Sequence, residues 1–450
     1  MLYGIIKLIL QVTIKVFFHS ITIKNKEAIP ENGPVLFLAN HPATFMDPIV
    51  MACIIKRKVF FLAKGSLFTG PVISWILARF NLIPIYRKQD DPRLLNKNMD
   101  TFKKCNEHLE KGGAIIIYPE GVSIIERKLK PIKSGASHIA LSTEEKNGFK
   151  LGVKIVNIGL NYENQQKFNK DLYINIHEPI LVKSFEERYK KDKVETIREL
   201  THEIDRQLST LVISVPDEKT DQFLKDIETL YLQQLKEEWG ISGKQVPAEF
   251  AITQKIIKAI NYFSEIDPAF ISTIQIRIKN YFRHLHVYRL SDSDIKTFNN
   301  NGAVWFSNIL RLLFLLFGLP IYLYGLINNY LPFQIPDWIA AKTKDYRGAV
   351  AMVSGIVTFT IFYAFQIFWV YEYTQSPIWS ILYGMSLPIS GFFAFYYWKN
   401  FNLVKSKWLL IALFYRRSIV FRLLVEERRS IITQFEKAEK DFIQKFPETE

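Results

Sequence analysis

Two long apolar runs set the first limit on how this chain folds. Residues 349–371 and 377–398 are each long enough to cross the hydrocarbon of a bilayer, which takes about 20 apolar residues. Only residues 372–376 join them, with one acid, Glu372, and no base. The outer ends are basic. Lys342, Lys344 and Arg347 precede the first run, and Lys399, Lys405, Lys407, Arg416 and Arg417 follow the second. Cationic flanks stay on the cytosolic side during insertion, so the expectation is a membrane-spanning helical hairpin with both outer ends in the cytosol. A third apolar stretch, 304–331, contains Arg311 and is interrupted by Gly318-Leu319-Pro320. A full crossing there would put either the N-terminal half or the basic C-terminal region outside. It is expected to be re-entrant or interfacial, broken at Pro320 and sheltered by packing on the two spans. The membrane region is thus 301–400, followed by basic amphipathic helices over 401–450, with 414–429 basic on one side and apolar on the other.

The rest of the chain is patterned differently. Tyr3, Lys7, Gln11, Lys15 and His19 recur every four residues in residues 1–20 and mark one side of a helix. This predicts an interfacial helix with its lysines at the headgroups and its Ile, Leu and Phe in the acyl layer. From 21 to 213 strand-like and helix-like segments alternate. Strands are expected at 35–39, 59–63, 82–86, 114–118, 154–160 and 173–177, and helices at 92–111, 134–145 and 184–210. Such alternation predicts an α/β domain. Residues 214–300 form a charged helical connector. At 450 residues the chain is too long for one ordinary core. A net charge of +14 with 14% aromatic residues calls for an anionic partner, and the apolar runs point to membrane lipid and phosphorylated ligands, not nucleic acid. Cys53 and Cys105 have neither metal-ligand nor disulfide-framework spacing, which suits a cytosol-facing catalytic domain.

Two polar motifs follow apolar strands of that domain. His41 and Asp47, in Asn40-His41-Pro42-Ala43-Thr44-Phe45-Met46-Asp47, come after 34–39; Tyr118-Pro119-Glu120-Gly121-Val122-Ser123 comes after 114–117. Strand ends are where α/β folds place their chemistry. A lone histidine is more often structural. A histidine with a carboxylate in reach can deprotonate a hydroxyl, because the carboxylate orients the ring and stabilises the imidazolium. No G-x-S-x-G nucleophile elbow occurs. Asp90-Asp91 is better explained as a helix cap than as a metal site, and no metal or cofactor is expected.

In this order, Asn40-His41…Asp47, Ile83-Pro84-Ile85-Tyr86-Arg87, Tyr118-Pro119-Glu120-Gly121 and Lys133-Ser134-Gly135-Ala136 resemble the motifs of the glycerol-phosphate O-acyltransferases. Family members space the first pair as His-x4-Asp, often have Arg where Ser123 stands, and have Pro where Asn157 stands. The His-x5-Asp spacing and Ser123 are similar to a branch of fungal-type glycerol-3-phosphate/dihydroxyacetone-phosphate acyltransferases. The resemblance covers about 21–213. It implies a mixed sheet flanked by helices, His41 as base, Asp47 as its partner, and Arg87 on the acceptor's phosphate. Glu120, Gly121, Ser123 and Lys133 would shape that pocket. The implied cosubstrates are an acyl thioester, on CoA or acyl carrier protein, and glycerol 3-phosphate or its 1-acyl derivative. Two other readings stay open at this level: an acyltransferase of another lipid acceptor, and a lipid-binding or scaffold protein without turnover.

Overall fold

The alternating segments build one sheet. The computed structural model describes residues 2–87, 90–298, 301–343, 346–416 and 418–446. Lys344 and Arg417, counted above among the basic flanks, lie outside the described residues. Two units emerge: Met1–Glu218 with Ile339–Val353, and Lys219–Trp338 with Ser354–Glu450.

In the first unit the strands are β1 (Ile21–Lys24), β2 (Val35–Ala39), β3 (Phe60–Lys64), β4 (Leu82–Ile85), β5 (Ala114–Ile117), β6 (Lys154–Tyr162), β7 (Leu172–Ile176) and β8 (Ile180–Leu181). Their order is β1-β7-β6-β2-β5-β3-β4, with β8 on β6. The neighbours β6, β2, β5, β3 and β4 are parallel, whereas β7 and β8 run against β6, so the sheet is mixed. Both faces are covered. Val35, Phe37 and Ala39 of β2 enter one core and Leu36 and Leu38 the other, the period-2 alternation of a doubly buried strand. The first core packs α1 (Leu2–Phe17) and α2 (Met46–Ile54). The second packs α4 (Asn98–Glu110), α5 (Gly135–Lys146) and α7 (Lys193–Leu211). Between β3 and β4 the chain forms α3 (Gly70–Arg79), which buries none of its residues.

Several local expectations shift. The helix read from 92 opens as a 3-10 turn over Pro92–Lys97, with Asp91 accepting from the Arg93 N–H, and becomes α-helical only at Asn98. The helix read over 184–210 is two, α6 (Glu186–Lys191) and α7. Asp192 adopts an extended conformation between them and accepts from the Glu195 N–H as the cap of α7. In α1 two residues of the polar stripe, Lys7 and Gln11, turn onto the protein. Lys7 donates to the carbonyls of Ile55 (2.6 Å) and Lys56, and Gln11 to that of Cys53, so they tie α1 to the end of α2. The outward face carries Ile5, Leu8, Ile9, Val12 and Val16.

The second unit is helical: α8 (Glu218–Glu238), α9 (Val246–Ile266), α10 (Pro268–Val287), α11 (Asp292–Phe298), α12 (Asn301–Ala341), α13 (Arg347–Thr374), α14 (Pro377–Arg416) and α15 (Ser418–Lys445). The segment before α12 packs on the segment after α14. Arg428 of α15 makes a bidentate pair with the buried Asp292, which also accepts from Tyr281 Oη at 2.8 Å. Among the described residues three helices are long and apolar enough to cross a membrane, over Ile309–Ala341, Arg347–Thr374 and Pro377–Trp408.

The break expected at Gly318–Pro320 is absent, because α12 runs unbroken through Pro320, Pro332 and Pro336. A re-entrant hairpin is therefore corrected to one long helix. Proline removes the N–H that would reach the carbonyl four residues back. Here α13 supplies two substitutes. Gln366 Nε2 donates to the Asn328 carbonyl (3.0 Å), which Pro332 leaves unpaired within the helix. Thr358 Oγ1 donates to the Pro332 carbonyl (3.2 Å), which Pro336 leaves unpaired.

Candidate active site

The parallel strands aim their C-terminal ends at one cavity of about 1630 Å³ in the first unit. Strands β2 and β5 are neighbours in register, Leu38 beside Ile117, so the segments that follow them emerge side by side. After β2 the chain turns through His41 to Thr44, whose φ of +48° lies in the left-handed region, and then enters α2. Asp47 falls in the first turn of α2.

His41 Nδ1 lies 2.8 Å from Asp47 Oδ2. Asp47 is fully buried, and its carboxylate has three donors. The Ala43 N–H reaches Oδ2 at 2.8 Å, the Tyr162 hydroxyl reaches Oδ1 at 2.6 Å, and the imidazole is the third. A buried carboxylate with two neutral donors accepts from Nδ1–H, which leaves the Nε2 lone pair as the basic position of the ring. Tyr118 stacks on the imidazole with centroids 4.0 Å apart and fixes its plane. Burial beside Asp47 raises both tyrosine hydroxyls well above their usual range, so neither serves as a base; Tyr162 is the one that donates to Asp47.

The remaining motif residues divide into pocket wall and support. Arg87, just past β4, lines the cavity; it donates through Nε and Nη2 to Asp90 and through Nη1 to the Gly121 carbonyl. Lys64 also pairs with Asp90, at 3.0 Å. Gly121 has φ +68°, and a side chain there would strike the Lys133 ammonium, 2.7 Å from an added Cβ. Lys133 therefore lies against Gly121, just ahead of α5, whose N-terminal Gly135 also lines the cavity. Backbone N–H groups and a lysine at a helix start favour an anion. Ser123 lines the same cavity and bonds to Thr44, accepting from its N–H at 3.1 Å and meeting its hydroxyl at 2.9 Å.

Glu120 differs from expectation. It does not line the cavity. Its two oxygens accept from the His41 N–H (3.0 Å) and the Lys130 N–H (2.9 Å), so it clamps together the loops after β2 and β5. Burial raises its carboxyl pKa despite these two bonds. Asn157 lies in the core, where its amide donates to Gln207 of α7 at 2.8 Å. Tyr162 and Tyr118 carried no recognisable sequence signal for their roles. Tyr162 ends β6, 115 residues from the carboxylate it holds. The opposite side of the cavity is apolar, with Ile6, Leu10, Ile49, Ala52 and Phe61 among its lining. Among the described residues no group of three or more His, Cys, Asp or Glu could hold a metal ion.

Comparison with known proteins locates the same segment. The Acyltransferase family model matches residues 20–161. The chloroplastic 1-acyl-sn-glycerol-3-phosphate acyltransferase of Arabidopsis thaliana is 30% identical over 127 residues, 28% of this chain and 34% of that protein. Glycerol-3-phosphate O-acyltransferase 1 of Saccharomyces cerevisiae is 23% identical over 400 residues, 68% of this chain and 52% of that protein. A crystal structure of the 1-acyl-sn-glycerophosphate acyltransferase of Thermotoga maritima is 20% identical, with a TM-score of 0.30, and covers 43% of this chain and 76% of that one. The chain spans between about a third and a half of the length of the two curated relatives. The matched segment holds His41, Asp47, Arg87, Glu120, Gly121, Ser123 and Lys133, and it is an acyltransferase-family domain.

Proposed function

We propose that the chain is a membrane-bound O-acyltransferase of phospholipid synthesis. It moves a fatty acyl group from a thioester, on CoA or acyl carrier protein, to a hydroxyl of glycerol 3-phosphate or 1-acylglycerol 3-phosphate. The observation that carries this is the oriented His41–Asp47 pair in a cavity with cations on one side and apolar side chains on the other. The matches to proteins named for these two acceptors support it. His41 Nε2 takes the hydroxyl proton as the acceptor oxygen attacks the thioester carbonyl carbon. Asp47 stabilises the imidazolium. The tetrahedral intermediate collapses, the C–S bond breaks, and the thiolate leaves with the proton returned from His41. Arg87 and Lys133 hold the acceptor phosphate. No bound metal or cofactor enters these steps. The thioester is cytosolic, so the catalytic unit faces the cytosol.

Thiol release by the purified full chain tests this, with each phosphorylated acceptor set against an unphosphorylated monoacylglycerol. Release is expected only with the phosphorylated acceptors. Arg87→Ala should raise KM for the acceptor more than for the donor. Release with no phosphorylated acceptor, or a KM change confined to the donor, would overturn the assignment.

A further inference from the structure

The second unit contains a cavity unrelated to the dyad. Helices α8, α9, α10 and α15 line a half-open cleft of about 490 Å³, within the roughly 300–1,000 Å³ range of small-molecule sites. Its wall is almost wholly aliphatic and aromatic, with Phe223 and Ile227 of α8, Ile256 and Phe263 of α9, Phe270 of α10 and Phe442 of α15. Three polar side chains interrupt it. Tyr231 donates its hydroxyl to Glu439. The Lys255 ammonium stands 4.1 Å from the centroid of Trp239 and within electrostatic reach of Glu439.

These groups are unevenly placed. The Lys236–Glu249 pair and the Lys255–Trp239 contact set the C-terminal end of α8 beside the N-terminal half of α9. Trp239 and Lys255 therefore mark one end. Phe223, Phe263 and Phe270 mark the other, with Phe263 and Phe270 in ring contact at 5.6 Å. Space lined this way offers water too few partners, and left empty it forfeits dispersion contacts along its wall. The guest that satisfies it is elongated, apolar along most of its length and polar at one end.

We propose that this cavity binds one long-chain acyl lipid, with its tail among the phenylalanines and its head at Lys255 and Glu439. The site shares no lining residue with the active-site cavity and does not depend on the transfer reaction. Burial raises the Glu439 carboxyl, and the Tyr231 hydroxyl donates to it at the head of the site. Both a free fatty acid and a monoacylglycerol offer this chemistry, and Lys255 discriminates between them.

The test is photolabelling of the full chain in nanodiscs with diazirine-bearing palmitic acid, then with the matching monoacylglycerol, followed by peptide mapping. Saturable label is expected on peptides of α8, α9 or α15, displaced by unlabelled oleic acid. Ala259→Trp, which fills the cavity, should lower it about tenfold. Ala438→Phe, from another wall, should do the same if the first variant fails to fold. His41→Ala should leave this label unchanged, which separates it from the active site. Lys255→Gln should weaken the fatty acid and spare the monoacylglycerol if the natural head is anionic, and spare both if it is neutral. Label spread over α12–α14 and undiminished by either filling variant would overturn the site.

Discussion

A histidine is a better-placed general base when one nitrogen is held, and here Asp47 holds Nδ1. His41→Ala should therefore lower thiol release by about 10²–10⁴-fold, with unchanged thermal unfolding as the control. Tyr162 acts through Asp47 and is a positioning residue. Tyr162→Phe leaves Asp47 Oδ1 short of a donor in a buried site. A hydrogen bond to a charged group contributes about 1.5–3 kcal/mol, so kcat should fall by about 10- to 100-fold while acceptor KM holds. A kcat loss matched by an equal rise in acceptor KM would mean that Tyr162 only packs. The dyad was legible in the sequence because both residues sit in one short turn after an apolar strand. Tyr162 was not, because β6 reaches β2 only through the parallel pairing of the sheet. Glu120 was misplaced for a related reason. Its two partners are backbone N–H groups, and side-chain motifs do not report them.

Strands buried on both faces read clearly as apolar runs, so β2, β5 and β6 stand close to where the pattern puts them. β1 (ITIK) is an edge strand with no fully buried residue and β8 a two-residue pairing off the main path, so neither leaves such a run. The continuity of α12 was hidden for a different reason, since two of its three proline positions, Pro332 and Pro336, are repaired by side chains of another helix. Removing those donors tests the account. Thr358→Val and Gln366→Leu each strip the partner from a carbonyl that a proline has already freed. Interhelical hydrogen bonds of this kind average about 0.6 kcal/mol, with a maximum of about 1.7. Each variant should lower the unfolding temperature slightly, and the double variant by about the sum, because the two sites are separate. A fall in the double variant no larger than in either single one would mean that only one of the carbonyls depends on α13. Neither change should alter acceptor KM.

At the scale of the whole chain, the packing limits how often it crosses the bilayer. The segments before α12 and after α14 pack together through Asp292, Tyr281 and Arg428, so they share a side. Among the described residues three helices are long and apolar enough to cross. Pairs such as Leu315–Tyr397 and Tyr324–Ser386 run α12 against α14, whereas the first and third spans of an up-down-up bundle would run the same way. The expectation is therefore that α13 and α14 form the entering and returning pair, with residues 375–376 at the turn. The basic flanks favour the cytosol for the shared side. Single cysteines at Thr374, Lys342 and Ser430, all exposed, test this in a background with Cys53→Ala and Cys105→Ala. With an impermeant thiol reagent on intact cells, only Thr374→Cys should label, and all three should label after permeabilisation. Labelling of Ser430→Cys in intact cells would require an odd number of crossings. It would separate α15 from α10, and the packing of Arg428 on Asp292 could not then exist in the inserted protein.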